Sequence, residues 1–491
     1  MKQIFSNTAR LQLGYTRRAT LLLGLSGLVS GAFGQSFAPA ITYPSGGHRP
    51  FDVALGDVNG DGRLDLVTAN SGSFPPMLGV LLGQAGGTFA AATTYSSGGD
   101  GPGHVALGDV NGDGRLDIVA ANITSANVGV LLGQAGGTFA AAITYSSGGT
   151  SPYGVELGDV NGDGRLDIVT NNYASGTLGV LLGQAGGAFA AATTYSSGGS
   201  HPRGVALGDV NGDGRLDIVV ANSDSYQVGV LLGQAGGTFG TATAYHPGNS
   251  SPGNSSPFAV ALSDVNGDGR LDIVATNTNS ADVGVLLGQT GGTFGVAIAY
   301  PAGGLTPKGE RDGPSGLELG DVNGDGRLDI VTANPNSNRV MLLLGQAGGT
   351  FAAATTYPSG GERTAYVALG DVNGDGWPDI VTTSVDSDNV GVLLNLSSTL
   401  ATSPAAGAAD LALYPNPAHA GFTVEVPAVA GATEFQAVLL NSLGQAVRRR
   451  RAPLPATGSH LSLETSGLAA GVYTLQLRAG ASTIVKRVVV Q

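Results

Sequence analysis

Cysteine is absent from all 491 residues, so neither a disulfide nor a thiolate zinc site can hold this chain together. Charged residues are scarce at 12%, and only one tryptophan and three methionines occur. Combined with 82 glycines, this fits neither a helical enzyme nor a charged disordered tail; it predicts many short strands joined by tight turns. After the N-terminus, no apolar run reaches the ~18 residues of a membrane helix. The formal charge of −13 argues against a nucleic-acid partner. There is no GxSxG, HExxH or phosphate-cradling loop, and none of the six histidines pairs at metal-ligand spacing. The expectation is therefore not an enzyme. A site assembled from carboxylates or His and Tyr of separate segments leaves no linear motif, so an extracellular polysaccharide-active lyase or hydrolase stands as one alternative and a purely structural surface protein as the other.

Residues 1–34 place Lys2, Arg10, Arg17 and Arg18 ahead of the apolar run ATLLLGLSGLVSGAF and end in small residues. That order reads as a cleaved secretory signal, whose removal would take the charge to −17.

What the chain has in abundance is one phrase. DVNGDGRLD or a near copy starts at Asp57, Asp109, Asp159, Asp209, Asp264, Asp321 and Asp371, at intervals of 52, 50, 50, 55, 57 and 50 residues. Around it runs a longer template: VALGD, the acidic loop, DIVTAN, a variable turn, VGVLLGQ, a GG turn, then TFAAATTY. Four short strands rich in Val, Ile, Leu, Thr, Phe and Tyr in each ~50 residues make one antiparallel blade. The seventh copy stops at Asn395 without its aromatic strand, while FAPAITY at 37–43 stands before the first copy with no blade of its own. Counting that strand, Phe37, Phe89, Phe139, Phe189, Phe239, Phe294 and Phe351 are each followed six residues later by Tyr. The expected fold is all-β: a seven-bladed β-propeller of four-stranded blades over 35–396, closed by the N-terminal strand. A linker at 397–409 and a small β-sandwich at 410–491 follow.

Within each loop, oxygen side chains recur at positions 1, 3, 5 and 9, and Gly at position 6 permits a sharp turn. This is the spacing that wraps hard donors around Ca²⁺, with the position 7 carbonyl completing the set. The candidate ligands are Asp57, Asn59, Asp61, Arg63 and Asp65; Asp109, Asn111, Asp113, Arg115 and Asp117; Asp159, Asn161, Asp163, Arg165 and Asp167; and Asp209, Asn211, Asp213, Arg215 and Asp217. The last three loops add Asp264, Asn266, Asp268, Arg270 and Asp272; Asp321, Asn323, Asp325, Arg327 and Asp329; and Asp371, Asn373, Asp375, Trp377 and Asp379. Up to seven Ca²⁺ are expected. Position 7 is read as a carbonyl donor whose side chain is free to vary, because Trp377 replaces Arg there. Position 12 is never Glu and the surroundings are β-branched, which excludes an EF-hand.

Successive turns of an antiparallel blade alternate between its ends, so the acidic loops share one face with the GG turns, and the variable turns and crossovers share the other. The variable face carries Phe51, Phe74, Tyr153, Tyr173, Tyr226, Phe258 and Tyr366, expected as exposed aromatics for a glycan or protein ligand. Asn70, Asn122, Asn172, Asn222, Asn277 and Asn334 are expected to set turn geometry. Glu156 and Glu318 replace an alanine of strand 1 and should line the central channel.

The repeats resemble the FG-GAP or VCBS repeats of secreted bacterial propellers and are similar to the calcium-bearing blades of integrin α-subunit heads. The resemblance implies a propeller and calcium but no particular ligand. The C-terminal segment, through YPNPA at 414–418, NSLGQ at 441–445, SGLAAGVYTLQL at 466–477 and the final VKRVVV, resembles the type A sorting domain of the type IX secretion system. That implies the type IX machinery as a partner, transit through the periplasm, removal of this domain, and release or surface attachment of a monomeric ring with no membrane span.

Overall fold

The computed structural model describes residues 36–248, 255–304, 311–397, 413–414, 421–426, 433–440, 446–455, 459–468, 471–479 and 482–490. The expected signal segment and most of the linker lie outside these residues, as does NSLGQ.

Seven four-stranded antiparallel sheets occupy residues 41–393. The first consists of Pro50–Gly56, Asp65–Asn70, Met77–Leu81 and Thr93–Ser96, and the next five repeat this order. In the seventh sheet, Thr364–Gly370, Asp379–Ser384 and Asn389–Leu393 are joined by Ile41–Pro44, in the register Ile41↔Val392 and Tyr43↔Val390. The second strand of every sheet is buried along its whole length. It is covered on both faces by neighbouring sheets, which is why DIVTAN reads as a continuous apolar run rather than an alternation.

The cores lie between successive sheets. One cluster joins Val67 and Val80 of the first sheet to Val105 and Ile118 of the second. Another joins Val381, Val390 and Val392 of the seventh to Val53, Leu66 and Phe89 of the first. The recurrent Phe and Tyr pack across these junctions rather than within one sheet. Seven edge-to-face pairs, from Tyr43–Phe89 through to Tyr357–Phe37, have centroids 5.2 to 5.5 Å apart. The Phe of each TF dipeptide stands apart from the outer strand that carries its Tyr: Thr88–Phe89 pairs with Gly83–Gln84, and the outer strand proper begins at Thr93.

Two residues beyond the third strand of six sheets stands a glycine, where a Cβ would run into the backbone, as that of Gly83 would into the Leu64 carbonyl. In the seventh sheet Asn395 takes this place. Its side chain donates to the carbonyls of Val322 at 2.8 Å and Pro378 at 2.9 Å, while its backbone bridges to Phe37.

The C-terminal residues form two sheets. Gly421–Val426 pairs with Leu413–Tyr414 and Ser459–Glu464; Glu434–Leu440 lies between Ala446–Pro453 and Gly471–Ala479, with Ser482–Val490 outermost. Phe422, Val424 and Leu461 of one sheet share a core with Phe435, Leu439, Leu475 and Val488 of the other. The alternation in SHLSLE is thus inward Leu and outward polar residues.

Candidate functional site

Each acidic loop turns back on its first aspartate. Asp57 Oδ1 accepts from the amides of Gly60 at 2.8 Å and Asp61 at 3.0 Å, and Oδ2 accepts from Gly62 at 2.7 Å. The position 9 aspartate is buried, and Asp65 accepts from Val58 N at 2.9 Å and Gly83 N at 2.6 Å, tying the loop to the third strand. Burial raises the Asp65 carboxyl above its usual range, the two amides oppose this, and the charges of Asp61 and Asp57 add to the rise. In Asp329 and Asp379 the same causes reach about 6. Asp109 moves down: burial is outweighed by four backbone amides.

The position 7 expectation needs correction. The guanidinium of Arg63 binds Asp61, and its Nε donates to the Gly83 carbonyl at 3.0 Å; Arg115, Arg165, Arg215, Arg270 and Arg327 repeat the arrangement. The side chain is therefore held, and its constancy in six loops follows from that bridge. Trp377 instead packs its ring against Gly324 of the preceding loop.

These loops fit Ca²⁺ in the chemistry of their donors: all are hard oxygens, their carboxylates repel one another, and Asn266 Oδ1 is buried without a partner. When bound, the cation would supply neutralising charge. Among the described residues no three His, Cys, Asp or Glu side chains already converge as a metal cage. The carboxylates of positions 1, 5 and 9 would have to turn from the amides and arginine that now hold them.

The GG turns stand on the same side. A Cβ on Gly137 would press on Asn59 of the preceding loop, and Gly187 meets Asn111 in the same way. On the opposite side, the recurrent asparagines are fully buried turn-formers: Asn122 Nδ2 donates to the Ser97 carbonyl at 3.1 Å, and Asn222 to Ser197 at 2.9 Å.

The second site lies along the axis of the first strands, around a cavity of about 540 Å³. Side chains two residues apart on a strand face the same way, so the strands stack their inward residues in layers. One layer holds Ala54, Ala106, Glu156, Ala206, Ala261, Glu318 and Ala368; the layer toward the variable loops holds Asp52, His104, Gly154, Gly204, Ala259 and Tyr366. Glu156 and Glu318 line the channel as expected. Both are half-buried, with their surface in the cavity. Burial, followed by the charges of Glu318 and Asp52, pushes Glu156 up to about 8; burial and then Asp52 push Glu318 to about 7. Asp52 accepts from Val105 N at 2.9 Å, with His104 Nδ1 at 3.5 Å.

The aromatic expectation also changes. Phe74 alone of the seven is widely exposed, at 93%. Phe51, Tyr153, Tyr173, Phe258 and Tyr366 instead touch one another where the first strands begin, with centroids 5.5 to 6.4 Å apart. Arg203 sits among them, 4.8 Å from the ring centres of Tyr173 and Phe258 and 5.2 Å from Tyr153. It donates to the Tyr153 hydroxyl at 3.1 Å and the Tyr173 hydroxyl at 3.4 Å. Burial carries the Tyr153 hydroxyl to about 12 against the pull of Arg203. Sequence reasoning missed Asp52, His104 and Arg203 as members of this site. Their signal was departure from the repeat at the same inner-strand positions.

With both sites described, comparison with known proteins is informative. Overlapping matches to the FG-GAP-like repeat family cover residues 57–120, 109–170, 159–220, 209–275, 264–332 and 321–382. The chain belongs to the FG-GAP-like repeat family. Residues 412–491 match the secretion system C-terminal sorting domain, which marks this FG-GAP protein as secreted or displayed at the cell surface through type IX secretion machinery. No curated protein matches the chain. Among solved structures, it is similar to an Agrocybe aegerita lectin specific for non-reducing terminal N-acetylglucosamine: identity is 20%, coverage 70% of this chain and 87% of the lectin, and TM-score 0.46. A putative 6-phosphogluconolactonase from Bacteroides uniformis shares 13% identity over 87% of this chain and 100% of its own, with TM-score 0.47. BBS1N, solved in complex with ARL6DN, shares 13% over 74% and 97%, also at 0.47. Among the described residues no helix is long and apolar enough to cross a membrane.

Proposed function

We propose that this FG-GAP protein is a closed seven-bladed propeller, stabilised by Ca²⁺ at up to seven loops, whose variable-loop face binds a glycan or protein ligand outside the cell. It acts by binding and adhesion, without catalysis. On this reading residues 1–34 are a cleaved signal leading to the periplasm, and the domain at 410–491 is removed after export. The core cluster between the seventh and first sheets supports closure. The observation that carries the binding role is the Arg203 aromatic cluster, a rigid amphipathic patch at the end of the ring where the loops differ from blade to blade. A screen of the purified ring on a glycan array, with product analysis of every hit, tests it. Retention without cleavage is expected, and loss of retention in Arg203→Ala places the ligand at the cluster.

A second reading, a polysaccharide-active lyase or hydrolase, is favoured by one observation: Glu156 and Glu318 share a cavity and are poised near neutral pH, as proton-transfer groups are. New reducing or unsaturated ends in the same screen would establish it.

A further inference from the structure

The central cavity holds more carboxyl groups than the protein provides partners for. Its titratable lining is Asp52, His104, Glu156, Arg203, Glu318 and Tyr366. Three of these are acids, and the only permanent cation, Arg203, is already engaged by three aromatic faces and two tyrosine hydroxyls. Among the described residues the Glu156 carboxyl has no hydrogen-bond partner, and that of Glu318 has only the Leu319 amide. Independently of the acids, the Tyr366 hydroxyl faces this cavity without a hydrogen-bond partner, on a residue only 9% exposed. A hydroxyl that opens on the cavity from an otherwise buried ring is one that a ligand can satisfy.

The form of the missing partner follows from the rest of the lining. Asp52, Glu156 and Glu318 belong to the first, third and sixth sheets, so the acids are spread around the axis rather than gathered on one side. Asp52 lies one layer, roughly 7 Å along the strand, from the level of the two glutamates. Between the glutamates stand alanine methyls. A bare Ca²⁺ needs six to eight converging oxygens, and among the described residues no acidic group converges in that way. A sugar brings hydroxyls but no positive charge, and would leave the three acids without a counter-charge. A short carbon chain ending in ammonium groups meets both demands: its methylenes lie against the alanine layer and its charges reach acids on different sheets.

We propose that the central cavity binds a small organic ammonium ligand, of the size and chemistry of a short alkyl diamine, held by Glu156, Glu318 and Asp52 with the Tyr366 hydroxyl as a further acceptor. The site shares Tyr366 with the Arg203 cluster, but its test needs no variable-face ligand. Because Glu156 and Glu318 hold their protons up to about 8 and about 7, ammonium binding at pH 7 expels a proton. A neutral ligand does not.

Calorimetric titration of the mature exported protein with 1,4-diaminobutane at pH 7, in two buffers of different ionisation enthalpy, tests this. One saturable site with net proton release is expected, and 1,4-butanediol should not bind. Replacing Glu156 and Glu318 together by Ala should weaken the diamine by ~10- to 100-fold, the range for losing charged hydrogen-bond partners. That variant should fold, because Ala already occupies this layer in the other five sheets. Absence of saturable diamine binding, equal binding of the diol, or unchanged affinity in a folded double variant would each overturn the proposal. Glycan retention by the variable face is read separately and does not enter the result.

Discussion

At one end of the seven repeated sheets, the position 6 amide donates to the first aspartate at 2.7 to 2.8 Å in all seven loops. At the other end the inward side chains change from sheet to sheet around the axis: Asp52, His104 and Tyr366 share a layer with glycines and an alanine. Repetition here marks what every sheet must do to pack on its neighbours. Departure from the repeat marks what one sheet does for the molecule as a whole, and the departures converge on a single cavity.

The largest test of that contrast is the seam, where repetition is completed by a strand nearly a full array away. Beginning the mature chain at Ser45 removes Phe37 and Tyr43, and with them two of the seven aromatic pairs. Loss should exceed the ~3–5 kcal/mol of one buried Phe, read as a lower urea midpoint. A midpoint equal to the parent's would show that the seventh sheet does not depend on the N-terminal strand.

The acidic loops come next. Weak extracellular-type Ca²⁺ sites at millimolar calcium give ~0.4–1.4 kcal/mol each, so seven contribute on the order of 3–10. Excess chelator should lower the melting temperature by several degrees, and Asp209→Ala should remove only one share. An unchanged melting curve would confine the loops to their amide and arginine contacts.

Smaller again is the effect of the channel acids. Their folded pKa values lie above the ordinary 4.5, so the folded state holds extra protons between that value and about 8. The stability this gives is fully present below 4.5 and is lost as pH rises to about 8. Replacing Glu156 and Glu318 by Ala should therefore flatten part of the decline in urea midpoint between pH 5 and 8, leaving the part due to the position 9 aspartates. A parallel decline in both proteins would remove the glutamates from the balance. Least of all, Phe74→Ser should stay within ~0.5 kcal/mol of the parent by urea unfolding, because its ring is exposed and outside the cluster.

Much of this architecture was legible because local pattern and tertiary role agree. DIVTAN reads as a buried strand and is one; the lone FAPAITY implies a partner, and Ile41–Pro44 pairs beside Asn389–Leu393. The FG-GAP-like phrase itself reported the loop's conformation through its glycines and aspartates. The Arg203 cluster was not legible, since its members come from five repeats and Tyr153 lies 50 residues away. The role of Arg63 escaped for a different reason: a repeated residue has two explanations, backbone and side chain, and only coordinates separate them.

Asn395 gives the ring a mechanical property. It stands where the array hands over to the C-terminal segment, and its side chain grips Val322 of the sixth repeat and Pro378 of the seventh, while Leu396 N is bonded to the Ser36 carbonyl at 2.9 Å. A pull arriving through that segment is thus shared at once among two repeats and the N-terminal strand. Had a glycine stood here, as it does two residues past the third strand in the other six sheets, the tension would fall on one strand edge and peel it bond by bond; the asparagine turns the exit into a strain relief.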